Sequence, residues 1–224
     1  MNLGMSLAML QISDTAFPSG ALSFSSGLER LVADGIVRDN EDVFHLLCGF
    51  LTHKWNTFDR VFMLRSLGLT DSVQRAQLDS EVEISTLSDA DRVSSRRAGR
   101  ALLGSWARIG VTECDSYRKT VNDSPTLGHL CIVQGLVYQC SGLTRQAAEL
   151  VSCWSVISGM TSAAVRLDLV GYLSAQLILT RIRPLVVSLL SEPAAEHQVP
   201  HAWAPLVDIA MMRHQFSDSR QFAS

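Results

Sequence analysis

The side chains able to do chemistry are few, and their spacing does not suit catalysis. Lys54 and Lys119 are the only lysines among 19 basic residues. Neither has a glycine-rich approach, and no G-x-x-x-x-G-K-[ST] loop is present to cradle a triphosphate. A G-x-S-x-G elbow and an H-E-x-x-H helix are also missing. His197 and His201 stand four apart beside Glu196, the spacing that sets two metal ligands on one helix face. Pro193 and Pro200 bracket them, however, and favour a surface loop. His45 and His53 are two turns apart on one long helix and read as surface or half-buried side chains. His129 follows Gly128 at a helix start, where capping or packing is the default role. His214 has only Asp218 at ligand spacing, so His214 and His129 are candidate metal ligands without a complete set. With no paired acid and base, the expectation is a protein that is not an enzyme.

Other residues suit contact rather than catalysis. Arg92, Arg96 and Arg100 recur at i, i+4 and i+8 and share one helix face. Two readings stand: a solvated face paired with acids such as Glu81 and Glu83, or a docking stripe for an acidic partner. Arg166 sits in the apolar run Ala163-Ala164-Val165-Arg166-Leu167, where a charge must be paired or must face a groove or subunit boundary. Phe17-Pro18-Ser19-Gly20 breaks an apolar pattern with a shaped turn carrying a large aromatic, an unusual connector. Either it packs back on its own core or it is presented to a partner. Of the tryptophans, Trp55, Trp106 and Trp154 read as core and Trp203 as partly exposed.

A chain of 224 residues with 47% apolar content can bury a sizeable core, and its net charge of -3 gives no reason to expect nucleic acid. The arginine bias fits interface use and a GC-rich genome equally. Five cysteines with no C-x-x-C pair favour reduced thiols and a cytoplasmic location. No basic region followed by an apolar one opens the chain, and Leu169 to Thr180, ended by Arg181 and Arg183, is too short to span a bilayer.

The elements that must position these residues are helical throughout. A short helix, an ordered loop and a second helix from Gly27 to Ala33, with Ser25 or Ser26 as cap, open the chain. Asp39 or Asn40 caps a long helix to about Leu67, whose apolar residues recur at three and four. Val73 to Leu78 is a more polar segment. Ser88 heads a helix to about Gly110, Glu113 to Pro125 is mixed, and Leu127 to Cys140 is helical. Thr144 caps Arg145 to Gly159, Thr161 to Leu179 continues it, and Pro184 restarts a turn to Leu190. Glu192 to Pro205 is a proline-broken loop, and Asp208 to Ser224 a short helix with a tail. The expected fold is all-α: a single-domain antiparallel helical bundle over residues 1–224, with an N-terminal segment and loop (1–24) and a C-terminal tail (211–224).

The opening stretch resembles the signature of the UreF family of urease accessory proteins, approximately L-L-Q-L-S-D-S-A-F-P-T-G-G-F-A-H-S-G-G-L-E. The matching residues are Leu10, Gln11, Ser13, Asp14, Ala16, Phe17, Pro18, Gly20, Ser25, Gly27, Leu28 and Glu29. The likeness continues through Arg92, Ser95, Gly99 and Arg100, His129 with Gly135, and Ala164-Val165-Arg166-Leu167 with Gly171 and Gln176. It ends with Pro205, Asp208, His214, Arg220, Phe222 and Ser224, similar to the family's H-E-x-L-x-x-R-L-F-x-S finish. Ala21 and Phe24 depart from the family's second glycine and its histidine, which puts a metal role for that loop in doubt. Gln215, Ser217 and Gln221 replace the usual Glu, Leu and Leu.

The resemblance implies a non-catalytic accessory protein that dimerises and binds UreD (UreH), largely through its terminal regions. That complex recruits the GTPase UreG, and GTP hydrolysis is coupled to loading nickel into apo-urease. The implied cofactor state is none tightly bound, with nickel handled by the complex and with neither nucleic acid nor membrane as partner. The implied interface residues are Phe17, Pro18, Arg92, Arg96, Arg100, Arg166, His214, Arg220, Phe222 and Ser224. The alternative is a metallochaperone that carries nickel itself on His214, His129 or the His197/His201 pair.

Overall fold

The computed structural model describes residues 2–14, 16–18, 25–194, 198–214 and 222, with His214 described by its backbone only. Gly20, Ala21, Phe24, His197, Gln215, Ser217, Asp218, Arg220, Gln221 and Ser224 lie outside the described residues. Every regular element among the described residues is a helix, as the periodicity predicts.

The first helix, α1 (Leu3–Ser13), is capped by Asn2, whose side chain accepts the Gly4 N–H at 3.0 Å. Met5, Ala8, Met9 and Ile12 turn to the core, and Leu3, Leu7 and Leu10 stay exposed. After α2 (Leu28–Ala33), the Asp39 carboxylate accepts the Glu41 and Asp42 amides and starts a rod of three parts. These are α3 (Asn40–Phe50), a π-helical segment (Leu51–Asp59) and α4 (Arg60–Leu67). The widened π turn costs hydrogen-bond geometry and tends to mark functional or strained places. Here its His53 and Thr57 carbonyls also accept the Trp203 and His201 amides, at 2.8 and 3.1 Å, which straps residues 201–203 along the rod.

Next come α5 (Ser72–Ser85), α6 (Asp89–Ile109, capped by Ser88) and α7 (Thr112–Asn122). The stretch read as mixed is therefore largely helix. Its buried face is only Cys114, Tyr117 and Val121, three well-separated residues whose helical spacing is hard to see among charges. The central helix α8 (Leu130–Cys140) buries every residue from Cys131 to Tyr138, as a helix enclosed on all sides must. The segment before it, expected to be helical from Leu127, is non-helical up to His129.

Helix α9 (Arg145–Arg166), capped by Thr144, contributes Ala147, Ala148 and Val151 to one core cluster and Cys153, Ile157, Met160, Ala163 and Ala164 to the other. It runs through Gly159 and then stops at Arg166 instead of continuing, with Asp168 in the left-handed region (φ 56°). The chain closes with α10 (Tyr172–Arg181), α11 (Arg183–Ser191) and α12 (Pro205–His214). Together α10 and α11 form 20 residues long and apolar enough to cross a membrane by length and composition, more than the sequence reading allowed. Arg181 does not end that apolar surface, because it folds over the Phe44 ring at 4.2 Å and pairs with Glu41 at the edge.

Candidate functional site

Three constellations bring together residues that are far apart in sequence. The first joins the C-terminal segment to α2 and to the end of α9. Phe222 is only 4% exposed, and its backbone N–H donates to Glu29 Oε2 at 3.1 Å. The Arg166 guanidinium lies 4.2 Å from the centre of the Phe222 ring, within cation–π range. Because α9 ends at Arg166, this residue is an exposed helix-end cation stacked on an aromatic, not a charge within an apolar helix. Beside it, Gly27 packs under Val207 and Met211 of α12, and Asp34, at the C-terminal cap of α2, receives both Arg30 (Nε, 3.1 Å) and Arg213 (Nη1, 2.7 Å). The latch thus unites Arg166 and Phe222 with Glu29, which the sequence marked only as the last residue of the opening motif.

The second constellation takes up the arginine row. Glu83 pairs with Arg96, accepts from His129 Nε2 at 2.8 Å and lies 3.7 Å from Arg92 Nε. Arg92 Nη1 also donates to the Thr86 carbonyl at 2.7 Å, and Arg100 donates to the Leu127 and Ser124 carbonyls at 3.0 and 2.8 Å. Asp79, fully buried, accepts the Tyr117 hydroxyl and the Gly128 and His129 amides at 2.6, 2.7 and 3.0 Å. Burial drives the Asp79 carboxyl up and the His129 imidazole down.

A neutral His129 that donates from Nε2 to Glu83 and accepts at Nδ1 from Ser95 Oγ (3.2 Å) satisfies this network. Ser95 Oγ in turn accepts the Leu130 amide. Both ring nitrogens are occupied. The glycines allow the close approach: a Cβ on Gly99 would lie 2.1 Å from the Gly128 carbonyl oxygen, and Gly128 itself has φ +101°. Arg92, Ser95, Gly99, Arg100 and His129 are thus one interlocked joint between α6 and the start of α8.

The third constellation was not visible in the sequence. A cavity of about 130 Å³, large enough for a few waters, lies between the π segment, α6, α8 and α9. Lys54 Nζ meets Asp91 Oδ2 there at 2.5 Å and lies 5.8 and 5.7 Å from the Phe50 and Phe58 rings. Burial pushes the half-buried Asp59 carboxyl up to about 6, opposed by Lys54 and reinforced by Asp91. Trp55 Nε1 donates to Ser152 Oγ at 3.1 Å, and Gln134 and Ser155 continue the polar lining. Residues on four elements supply its polar groups, so no local spacing could announce it. Nearby, Trp203 is 72% exposed at the rim of an open groove of about 500 Å³ shared with His45 and His53.

The remaining expected site residues separate. Phe17 is half-buried and packs on Trp106 with ring centroids 5.6 Å apart, and the Pro18 carbonyl accepts Ser105 Oγ–H at 2.7 Å. At its first two residues the opening loop is therefore seated on its own core. Arg220, Ser224 and the His214 side chain lie outside the described residues. His201 is exposed with Nδ1 at 3.1 Å from the Val199 carbonyl. Among the described residues no group of three His, Cys, Asp or Glu could hold a metal ion.

Comparison with known proteins gives these sites a context. The UreF family model matches residues 37–183. The urease accessory protein UreF of Trichodesmium erythraeum (strain IMS101) is 30% identical over 229 residues, covering 97% of this chain and 96% of that protein. UreF of Paenarthrobacter aurescens (strain TC1) is 27% identical over 236 residues, the full length of both chains. A UreF-like urease accessory protein of Schizosaccharomyces pombe, itself uncharacterised, is 30% identical over 235 residues, covering 96% and 95%. With a family match over well over half its length and relatives spanning nearly all of it, the chain belongs to the UreF family of urease accessory proteins.

Proposed function

We propose that the protein serves urease maturation in the cytoplasm as a non-catalytic scaffold and GTPase regulator. It acts as one 224-residue unit. In this reading it dimerises and joins UreD (UreH) and the UreG GTPase in the complex that delivers nickel to apo-urease. Nickel is the cargo of that assembly. The observation that carries the reading is the latch of Glu29, Phe222 and Arg166, which anchors the C-terminal segment beside the end of the opening motif. The exposed apolar side chains Tyr172, Leu173, Leu177 and Val187 on α10 and α11 support it, since such side chains suit burial against a partner. The arginine row supports it less, since Arg92, Arg96 and Arg100 are engaged within the fold.

A pull-down of the tagged chain from its own cells tests the reading. Deletion of Arg220 to Ser224 is expected to lose UreD, and Arg166→Ala to weaken dimer or GTPase recovery. Unchanged recovery in both would overturn the site assignment. Normal nickel content of urease in a deletion strain would overturn the function.

A further inference from the structure

Helices α6 and α7 frame an open hollow of about 240 Å³ lined by three arginines, Arg100 and Arg108 from α6 and Arg118 from α7. No carboxylate lines it, and among the described residues none of the three enters an ion pair. Arg92 and Arg96, earlier on the same helix, both face Glu83. The chain carries 22 acidic side chains against 19 basic ones, so composition did not withhold an acid from this place. Three like charges gathered without one repel each other and oppose folding.

The hollow has a built shape. Arg100, Gly104 and Arg108 fall at i, i+4 and i+8 and share one face of α6, so the glycine leaves room between the two guanidinium groups. A glycine inside a helix costs stability relative to alanine. Packing does not require this one, because a Cβ on Gly104 would meet nothing within 4 Å, whereas one on Gly99 would strike the Gly128 carbonyl. Arg100 is held in place by the Leu127 and Ser124 carbonyls at 3.0 and 2.8 Å, neutral partners that fix its guanidinium without cancelling the charge. Across from it, Arg118 and Asn122 stand at i and i+4 on α7.

We propose that this hollow binds the phosphoryl group of a small soluble phosphomonoester. A guanidinium is a planar fork that pairs two N–H groups with two oxygens of one anion. A carboxylate, with two oxygens and a single charge, satisfies one such fork. A phosphoryl monoester brings three terminal oxygens and a charge of about -1.5 to -2 at pH 7, enough for three forks. Asn122 adds a side-chain amide that can donate to the same group or to the ester oxygen. The site lies apart from the terminal latch and does not rest on the proposed function.

The test is calorimetric titration of the full-length protein at pH 7 and constant ionic strength, with inorganic phosphate, glycerol 3-phosphate and acetate as probes. Both phosphates are expected to bind at least about tenfold more tightly than acetate. Arg108→Gln and Arg118→Gln are each expected to weaken phosphate about tenfold. Gly104→Leu keeps every charge but fills the hollow, and is expected to abolish binding without lowering the melting temperature. Arg183→Gln removes the same charge from the exposed start of α11 and is expected to leave phosphate affinity unchanged. Equal weakening by Arg183→Gln and Arg118→Gln would overturn the proposal, since net charge alone would then explain binding. So would full phosphate affinity in Gly104→Leu, or acetate or a glutamate-rich peptide binding as tightly as phosphate. Capture by phosphatidic-acid vesicles without binding of glycerol 3-phosphate would overturn the soluble ligand in favour of a lipid headgroup.

Discussion

Replacing Phe222 with alanine should release the C-terminal anchor without unfolding the helices. Burying a phenylalanine contributes about 2–3 kcal/mol, and the exposed Arg166 guanidinium over its ring adds about 0.5–1 kcal/mol. The backbone N–H to Glu29 survives the substitution, so its contribution stays out of the difference. The loss of about 3 kcal/mol corresponds to roughly a hundredfold shift towards the undocked tail. Trypsin reads that shift, because the sequence places a cleavage site at Arg220, just before the anchor. At low protease the cutting rate follows the population of the open form. Phe222→Ala should therefore be cut about a hundredfold faster, and Arg166→Ala, which keeps the buried ring and removes the cation–π contact, about fivefold faster. A rise below about threefold for Phe222→Ala, or equal effects from the two variants, would refute the latch.

Two further outcomes follow from the joint and the cavity. Gly99→Ala would set a methyl 2.1 Å from the Gly128 carbonyl oxygen, backbone against backbone. Overpacking of this kind should cost about 3 kcal/mol and lower the melting temperature by about 6–12 °C, whereas Gly49→Ala, with open space around its Cβ, should leave it nearly unchanged. The pH dependence has two opposed parts. His129 is held below its ordinary value, so as pH falls through about 6.5 the unfolded chain gains a proton before the folded one and stability drops. Asp59 is raised to about 6, so between its ordinary value and that point the folded chain holds a proton the unfolded one has lost, and stability drops as pH rises. Urea titrations should show Asp59→Asn stabilising the protein by about 1–2 kcal/mol at pH 7, after discounting for partial exposure, and by much less at pH 4. An equal gain at both pH values would remove the carboxylate as its cause.

The helices that bury a broad stripe were legible because their periodicity is local. Val43, Leu47, Phe50 and Leu51 repeat at three and four, and Asp39, Ser88 and Thr144 mark starts that the structure keeps. Where few residues touch the core, the pattern faded, and α7 was missed for that reason. The π segment left no mark, since Leu51, Trp55 and Phe58 also fit an ordinary helix and the wider turn is decided by tertiary contacts. Lys54 could be read only as a lysine without a phosphate loop, because its partner Asp91 comes from α6 and Gln134 from α8. The end of α9 at Arg166 turns on Asp168 adopting a left-handed conformation, a cost that propensity alone argues against.

The family-like positions divide in space by the work they do. Arg92, Ser95, Gly99, Arg100 and His129 direct their hydrogen bonds and close clearances to one another and to neighbouring backbone, so they hold helices at a fixed approach. Phe17 and Pro18 spend their contacts on Trp106 and Ser105. Glu29, Arg166 and Phe222 differ, because they hold the C-terminal segment against α2 and the end of α9, and Arg166 remains at the surface while doing so. A latch of that kind fixes where a terminal segment leaves the body, which matters to a protein only if something else reads the segment's position. Gln215, Ser217 and Gln221 flank the anchor and leave Phe222 itself in place. These departures can therefore retune what the segment presents while its point of attachment stays the same, and a swap of those three residues for Glu, Leu and Leu should alter partner recovery without changing the tryptic rate set by Phe222.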